Sequence, residues 1–450
     1  MLRVPDVVVS SLCEPLWDLY ERSVRLRTYR DLDRSQWFSR ADLEGQRLAR
    51  LRSLLTHAAA SSPLHAHRLA AAGIDPAAVR GIEDLASLPL LTKADIRDAT
   101  AEIVSSRYSR DDLVPAKTGG STGEALRVYC DRAGVERRAA AALRADTWAG
   151  WRLGQPLAAV WGNPPRPGNW RSHLRRHLKD RRFYLDTMKI TPAAVDRFVR
   201  DWRRWRPGLL YGHAHSLFIL AEHLRERGET GLRPAGIVAT SMMLLEPERR
   251  VIEQVFGTPV TNRYGCEEVS LIACECEVHQ GMHINAEHCY VEFLRDDGSP
   301  CAPGEDGRIV VTELINRGMP MIRYEVGDRG APADRSCPCG RGLPLMEGLS
   351  GRTADFLVAE DGSQVAGISL IENTLTRYGG IRQLQLVQEE RGAIVANVVA
   401  GRGWGEETAR ALEQELRRHL GSGLRVQIRL LDEIPAERNG KYRFSICRIS

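Results

Sequence analysis

The sequence lacks the features that would place the protein in a membrane or outside the cell. No apolar run approaches the roughly 20 residues that a membrane-spanning helix needs. The chain does not open with a basic stretch, an apolar stretch and a small-residue cleavage site, so no secretion signal is indicated. Internal repeats and low-complexity segments are also missing. We therefore expect a soluble, cytoplasmic protein with no membrane partner.

An excess of one charge and a disulfide framework are absent as well. The chain has 63 Lys and Arg against 58 Asp and Glu, a formal net charge of only +5, which does not require a nucleic-acid partner. Ten cysteines without a secretion signal indicate reduced thiols or metal ligands. A chain of 450 residues, 43% of them apolar, can bury a large core and usually forms two or more domains.

Two basic stretches interrupt this charge balance: residues 171–182, and residues 197–206 with Trp202 and Trp205 among the arginines. One interpretation is a nucleic-acid surface that combines charge with base stacking. The other is a pair of solvated helix faces whose tryptophans point inward. We favour the second because the overall charge is nearly balanced, and we expect no nucleic-acid partner.

A glycine- and hydroxyl-rich stretch is the strongest local signal for ligand binding. Glycine lets backbone N–H groups turn toward a ligand, and hydroxyls add donors, so such a loop can hold phosphate oxygens. A P-loop would need a lysine and would run directly into a helix, whereas here a strand follows and then a helix from Asp131 to Trp148. The predicted phosphate-binding residues are Thr118, Gly119, Gly120, Ser121, Thr122 and Gly123.

The middle of the chain alternates short apolar runs with helical patterns. This alternation predicts an α/β body whose parallel strands present ligand loops at their carboxyl ends. Residues 1–84 have leucines at helical spacing and predict a helical N-terminal part of the large domain. We expect the α/β body to span residues 85–350 and a small α+β unit to span residues 351–450.

The glycine-rich loop is the first of five motifs that follow one another along the chain. They are that loop, Tyr264-Gly265-Cys266-Glu267-Glu268, Arg323-Tyr324-Glu325-Val326-Gly327-Asp328, Gly351-Arg352, and Gly440-Lys441-Tyr442-Arg443-Phe444. Together they resemble the adenylate-forming enzymes, and most of all the phenylacetate–CoA ligase and coenzyme F390 synthetase (CapK-like) branch. The resemblance covers about residues 85–446. It implies a large body with a small, mobile C-terminal lid domain.

The resemblance also implies roles for single residues. Tyr264, beside Gly265, would stack on adenine, Glu268 would bind Mg²⁺, and Asp328 would accept both ribose hydroxyls, which suits an acceptor-only side chain. Arg352 would reach the ribose or the α-phosphate. Lys441 would bridge the carboxylate and the α-phosphate during adenylation. Glu267 replaces the usual Thr or Ser before the metal carboxylate.

The predicted acid pocket lies at the strand ends. Aromatic side chains there would suit an aromatic acid, although they are as often core residues. The candidates are Trp161, Tyr211, His215 and Met242, with Ser241 predicted to contact the nucleotide.

Cysteine and histidine form a separate pattern. Cys276 and His279 make a C-x-x-H pair, and Cys337 and Cys339 make a C-x-C pair about 60 residues later. Two such pairs that converge would make a tetrahedral site suited to structural Zn²⁺, rather than a catalytic one. Members of the coenzyme F390 synthetase group resemble the chain in both halves of this pattern. Cys274 and His283 are the substitutes if one ligand is wrong.

These patterns predict an ATP-dependent, AMP-forming ligase that activates a small carboxylic acid, with aromatic acids among the candidates, and releases pyrophosphate. The acyl group would pass to a thiol such as coenzyme A or to an amine. Ala354 stands where phenylacetate–CoA ligases have the first hinge aspartate, and residues 359–363 replace the glycine-rich loop that helps receive coenzyme A. These two departures keep open the activation of another oxyanion, such as nitrite, with an aryl amine. The basic stretches keep open a nucleic-acid or partner-binding protein with a vestigial nucleotide site. The sequence does not decide the oligomeric state, for which a homodimer is one option.

Overall fold

The structure is a computed structural model. It describes residues 4–117, 126–162, 168–187, 191–352, 356–362, 364–435 and 442–449. In this part of the chain, no helix combines the length and the apolar character that crossing a bilayer requires. The loop residues 118–123, the hinge residue Ala354 and the C-terminal Lys441 lie outside the described residues.

The described α-helices fall into an N-terminal group, a middle group and a C-terminal pair. A π-helical turn joins the first two helices at Val9–Cys13, and another follows α9 at Arg176–Asp180. The helices are α1 (Asp6–Val8), α2 (Glu14–Glu21), α3 (Arg25–Ser35), α4 (Arg40–Ser61), α5 (Pro63–Ala71), α6 (Lys93–Asp98), α7 (Thr100–Ile103), α8 (Arg132–Trp148), α9 (Trp170–Arg175), α10 (Pro192–Trp205), α11 (Ala214–Glu226), α12 (Glu246–Phe256), α13 (Gly367–Arg377) and α14 (Glu406–Leu420).

The strands form one large sheet, one small sheet and two hairpins. They are β1 (Leu113–Lys117), β2 (Arg127–Asp131), β3 (Leu157–Trp161), β4 (Arg182–Asp186), β5 (Leu209–His213), β6 (Gly236–Thr240), β7 (Val260–Cys266), β8 (Ser270–Glu275), β9 (Met282–Ile284), β10 (Cys289–Leu294), β11 (Gly307–Glu313), β12 (Tyr324–Ala333), β13 (Leu345–Arg352), β14 (Phe356–Val358), β15 (Gln364–Ala366), β16 (Ile381–Gln388), β17 (Ala393–Ala400), β18 (Arg425–Leu431) and β19 (Ser445–Cys447).

The large sheet has eleven strands in the order β10-β11-β12-β13-β9-β8-β7-β6-β5-β3-β4. The pairs β4–β3, β3–β5, β5–β6 and β6–β7 are parallel. Every other pair in this sheet, from β7–β8 to β11–β10, is antiparallel. The predicted α/β body with parallel strands is therefore confirmed. Helices α10, α11 and α12 bury one face of this parallel half, since Phe198, Leu217 and Ile252 share one core with the strands.

Capping side chains fix where two helices next to the site begin. Asp131 accepts a hydrogen bond from the Gly134 N–H at 2.8 Å and so starts α8. Thr92 and Asp95 make a capping box at the start of α6, in which each side chain binds the other residue's backbone N–H. The predicted helix start at Asp131 is therefore confirmed.

The N-terminal residues are helical, as predicted from the leucine spacing. Leu51, Leu54, Leu55 and Ala58 of α4 are fully buried on one helix face, where they pack against residues such as Tyr290 of β10. This stretch therefore covers one side of the antiparallel half of the sheet.

The second basic stretch forms most of α10. Trp202 is buried in the core against Phe198 and Phe256, and Trp205 is half-buried beside the same core. The predicted inward tryptophans are therefore found. The first basic stretch continues into strand β4, which the sequence did not indicate.

The C-terminal residues form a separate four-stranded sheet in the order β18-β17-β16-β19. Leu384, Leu386 and Val398 of the β16–β17 hairpin pack with Leu412 and Leu416 of α14. These elements form the α+β unit that the sequence predicted for this part of the chain. Residue 350 as the exact domain boundary stays a prediction.

Candidate active site

A hydrogen bond joins two of the predicted nucleotide-binding residues. Tyr264 lies on β7 and its hydroxyl donates to Asp328 Oδ2 on β12 at 2.9 Å. Both side chains are buried in the described structure, with exposures of 5% and 7%. The backbone of Arg352 lies directly opposite Asp328 in the β12–β13 pairing. The structure thus brings three predicted residues of distant motifs to one place.

Glu268 lies beside this pair. Its carboxylate accepts a hydrogen bond from the Tyr324 hydroxyl at 2.8 Å, and its backbone carbonyl accepts one from Arg138 Nη2 at 2.7 Å. Burial, together with the negative charges of Glu268 and Asp328, raises the pKa of the Tyr324 hydroxyl, so the tyrosine stays a donor. Glu267, next in the chain, points to solvent.

A second arginine contact holds the Glu268 turn in place. Arg138 on α8 makes a two-pronged ion pair with Glu313, with N–O distances of 2.7 and 2.6 Å. Because that guanidinium also binds the Glu268 carbonyl, α8 and β11 together fix the turn. Sequence reasoning missed Arg138 and Glu313, since neither lies in a recognisable motif.

Gly265 is required by a close backbone approach. A Cβ at this position would lie 2.3 Å from the Ser270 carbonyl oxygen, so a side chain cannot fit without a shift of the backbone. The register of the β7–β8 pair also slips between Tyr264 and Gly265. This irregularity directs the turn that carries Glu268.

The sequence left Cys266 unassigned, and it lies within the same cluster. Burial raises the pKa of its thiol, and the charges of Glu268 and Asp328 raise it further. The thiol is therefore protonated at neutral pH and unsuited to act as a nucleophile.

An aromatic wall lies at the carboxyl ends of β3 and β5. The rings of Trp161 and Tyr211 stack with centroids 5.1 Å apart and planes 15° apart. Arg263 lies over the Tyr211 ring at 4.7 Å and is held by Asp146 through an N–O distance of 2.7 Å. Two predicted pocket residues, Trp161 and Tyr211, therefore come together, and Arg263 lies beside them. In the sequence, only the position of Arg263 directly before Tyr264 could have indicated that it lies in the site.

Ser241 and Met242 follow β6, the next strand. Ser241 has a φ of +65°, a left-handed conformation that is uncommon for a residue with a side chain. Met242 is half-buried and packs against both the core of the parallel strands and the core of the C-terminal sheet. Backbone strain at a strand end is a frequent feature of ligand sites.

His215 has different neighbours from the aromatic wall. Its ring is buried on α11, with Nδ1 2.5 Å from Glu248 Oε1. The ring also contacts Tyr442 and Phe444 at centroid distances of 4.5 and 4.6 Å. His215 thus lies between the body and the segment that follows Lys441, and its role in the acid pocket stays a prediction.

Four metal-ligating side chains converge at the far end of β8. Their ligand atoms all lie within 4.8 Å of one another; the residues are Cys276, His283, Cys337 and Cys339. The Cys276 and Cys337 sulfurs are 3.6 Å apart, close to the ~3.8 Å between two thiolates on one tetrahedral Zn²⁺. Burial lowers the pKa of His283 to about 4, so its imidazole is neutral at pH 7 and able to bind a metal. The donor set thus fits Zn²⁺.

His279, predicted as the fourth ligand, is not in this group. It sits in a tight turn with a φ of +54°, and its Nδ1 lies 3.2 Å from Glu275 Oε2. His283, named above as a substitute, takes its place with Nε2 3.3 Å from Cys339 Sγ. The β9–β13 pairing, with Leu345 opposite His283, carries this histidine to the cysteines.

Comparisons with known proteins agree with this geometry. Residues 357–448 match the family model described as the CapK C-terminal domain. The phenylacetate-coenzyme A ligase of Thermus thermophilus is 28% identical over 317 residues, which cover 69% of this chain and 70% of that protein. Protein CapK of Staphylococcus aureus is 22% identical over 382 residues, which cover 82% and 81%.

Among solved structures, 2-hydroxyisobutyryl-CoA ligase in its postadenylation state superposes with a TM-score of 0.76 at 21% identity, covering 92% of this chain and 91% of that chain. The same enzyme in its thioesterification state gives a TM-score of 0.63. The fold is thus that of the adenylate-forming ligases. Within that class, the predicted resemblance to the phenylacetate–CoA ligases and to CapK-like proteins is confirmed.

Proposed function

We propose that the protein is an ATP-dependent, AMP-forming ligase for a small carboxylic acid. The carboxylate oxygen attacks the α-phosphorus of ATP, pyrophosphate leaves, and an acyl-AMP forms. The observation that carries this proposal is the cluster of Tyr264, Glu268 and Asp328 at the end of β7, next to the Arg352 backbone. The phenylacetate-coenzyme A ligase relatives support it.

In this cluster the nucleoside and the metal have separate partners. Asp328 accepts from Tyr264 with one oxygen, Oδ2, and can accept from ribose hydroxyls as well, since a carboxylate offers about four lone-pair sites. Glu268 binds Tyr324 through Oε1, so Oε2 can serve Mg²⁺, a cation that prefers carboxylate oxygens. When bound there with ATP, Mg²⁺ would neutralise phosphate charge during attack.

The position of the C-terminal residues supports the adenylation step. This structure superposes on the postadenylation state of 2-hydroxyisobutyryl-CoA ligase with a TM-score of 0.76. It superposes on the thioesterification state of the same enzyme with a TM-score of only 0.63. In this arrangement Tyr442 and Phe444 rest on His215 of the body. Lys441, the residue before Tyr442, would then reach the α-phosphate.

The acid would bind along the Trp161–Tyr211 wall, with Met242 nearby. Two stacked rings offer a flat apolar surface, and Arg263 adds a fixed positive charge beside it. Such a surface suits a planar acid whose carboxylate is drawn toward the nucleotide. In the second step, a thiolate attacks the acyl carbon and AMP leaves. Coenzyme A is the acceptor that the names of the relatives favour.

We also propose that Cys276, His283, Cys337 and Cys339 bind one structural Zn²⁺. A closed set of four protein ligands leaves no position for substrate, so the ion would not take part in catalysis. The group joins the turn after β8 to the loop between β12 and β13, and its sulfurs share a core with Leu32, Leu43 and Trp148. Metal binding would stabilise the fold at this point.

A screen of carboxylic acids tests the main proposal. Purified protein with Mg²⁺ and ATP should release pyrophosphate only when a suitable acid is present, and mass spectrometry should detect the acyl-AMP. Addition of coenzyme A should convert it to a thioester. The Asp328→Ala variant is the control for contaminating ligases. Acid-independent ATP hydrolysis, or no turnover with any acid or nitrite, would contradict the proposal.

A further inference from the structure

An arginine-lined cavity includes none of the predicted nucleotide, acid or zinc residues in its lining. Its volume is about 720 Å³, and it opens between α3, α4, the start of α8 and the loop after β11. This cavity, called the arginine pocket below, falls in the size range of small-molecule sites. Its positively charged lining consists of Arg27, Arg34, Arg50, Arg137 and Arg317.

Acidic side chains do not balance these arginines. The lining includes only two carboxylates, Asp31 and Asp131. Asp131 is already engaged, because it accepts from the backbone N–H groups of Gly134 and Arg317 at 2.8 and 2.7 Å. Among the described residues, none of the five arginines forms an ion pair.

Several of the arginines are held in place by neutral acceptors. Arg317 donates to the backbone carbonyl and hydroxyl of Ser53 at 2.5 and 3.0 Å. Arg50 donates to the Glu287 carbonyl, and Arg137 donates to the Ile315 carbonyl at 3.4 Å. These bonds position the guanidinium groups without a direct ion pair to a carboxylate. Burial lowers the pKa of both Arg50 and Arg317, and the positive charge of Arg137 lowers it further, although the Glu287 carboxylate partly offsets this effect at Arg50.

A buried histidine provides an independent sign of a ligand. His288 lines the arginine pocket, is 3% exposed, and its Nδ1 has no hydrogen-bond partner in the described part of the chain. Burial lowers the pKa of this ring to about 3, so it is neutral at pH 7. An unpaired buried ring nitrogen costs free energy unless something binds it, and a neutral imidazole can donate to an anionic oxygen.

We propose that the arginine pocket binds a compact polyanion with two or more phosphate or carboxylate groups. Guanidinium groups bind such groups through paired N–H donors, and five of them around one cavity need more than one anionic group to compensate them. The pocket adjoins Asp131 at the carboxyl end of β2, and its lining includes none of Tyr264, Glu268 and Asp328. The ligand is therefore distinct from the ATP and acid of the proposed reaction.

Calorimetric titration of the full chain with citrate and with 2,3-bisphosphoglycerate tests this site. AMP is kept saturating, so that the nucleotide site does not bind the probe. One equivalent of at least one probe should bind, and added salt should weaken binding. Whichever probe binds more tightly identifies carboxylate or phosphate as the preferred group.

Variants connect that binding to the arginine pocket. Arg27 and Arg34 are exposed, and neither side chain makes a hydrogen bond to another described residue. Arg27→Gln/Arg34→Gln should therefore fold normally, as thermal melting can verify. It should lower the affinity about tenfold or more, since charge-assisted hydrogen bonds are lost. The control Arg197→Gln/Arg200→Gln removes the same charge from α10 and should bind like wild type. No binding of either probe, or equal losses in both double variants, would overturn the proposal.

Discussion

The Tyr264 hydroxyl donates to Asp328 Oδ2 at 2.9 Å and so joins residues 64 positions apart in the sequence. This bond orients the carboxylate that we assign to the ribose. Asp328→Ala should weaken ATP binding by about ten- to a hundredfold or more, because even one hydrogen bond to a charged group contributes about 1.5–3 kcal/mol. Calorimetric titration with ATP measures the loss. Tyr264→Phe keeps the aromatic ring and leaves the Asp328 carboxylate in place, so it should lose less ATP affinity. A larger loss in Tyr264→Phe than in Asp328→Ala would contradict the assigned roles.

Glu268 should matter for the metal rather than for the nucleoside. Glu268→Gln keeps the size of the side chain but removes its charge, so the Mg²⁺ concentration needed for half-maximal pyrophosphate release should rise. Tyr324→Phe is the matched control, since it removes the 2.8 Å hydrogen bond and leaves the charge. Titration of activity with Mg²⁺ compares the two. An unchanged Mg²⁺ requirement in Glu268→Gln would show that another group binds the metal.

The Cys/His group predicts a zinc content of about one equivalent, as one tetrahedral site requires. Elemental analysis of protein purified without chelators measures it. Cys337→Ser should lower the melting temperature, since the binding free energy of a structural metal adds to folding.

Two histidines decide which side chain completes that group. His283→Ala should lose zinc, whereas His279→Ala should keep it, because only His283 lies beside Cys339. Protein without zinc, or a loss confined to the His279 variant, would refute the geometry.

A buried ion pair should make stability depend on pH. Arg144 binds Glu287 with N–O distances of 2.6 and 3.0 Å, and Ser35 adds a third hydrogen bond. Burial raises the pKa of Glu287, but Arg144 outweighs it and holds that pKa at about 2, below its ordinary 4.5. The stability from this carboxylate is therefore complete above pH 4.5 and is lost as the pH falls toward 2.

Denaturant unfolding of Glu287→Gln tests this pair. At pH 7 the variant should lose about 3–5 kcal/mol, because it leaves Arg144 buried without its partner. The difference from wild type should shrink as the pH falls from 4.5 toward 2. Glu389→Gln breaks an exposed pair with Arg448 and should change stability little. A variant as stable as wild type at pH 7 would contradict the account.

Local patterns predicted the elements well because their causes are local. The leucine spacing of residues 1–84 indicated helices, and Asp131 marked the start of α8 because its side chain caps that helix. Strand β4 was missed because it follows a basic stretch and only its inward residues, Phe183 and Leu185, are buried.

The site was harder to predict because distant strands build it. The C-x-x-H spacing favoured His279, but sheet pairing between β9 and β13 delivers His283 instead. Nothing local indicated that Arg138 would hold the Glu268 turn or that His215 would face Tyr442. From the sequence, only the resemblance of their motifs to a family placed Tyr264 and Asp328 in one site.

Lys441 should contribute to the first step of the proposed reaction and not to the second. It lies outside the described residues, directly before Tyr442, whose ring contacts His215 of the body at 4.5 Å. Its charge would act on negative charge that grows at the α-phosphate, so it should affect rate more than binding. Lys441→Ala should keep ATP affinity within a few-fold of wild type and slow acyl-AMP formation by roughly a hundredfold or more.

The two half-reactions, measured separately in wild type and in Lys441→Ala, test the central claim most directly. One assay follows acid-dependent exchange of labelled pyrophosphate into ATP, and the other follows thioester formation from pre-formed acyl-AMP and coenzyme A. The account predicts exchange only when acid is present, its loss in Lys441→Ala, and retention of the second step. Absence of acid-dependent exchange in the wild type, or equal losses in both steps of the variant, would contradict it.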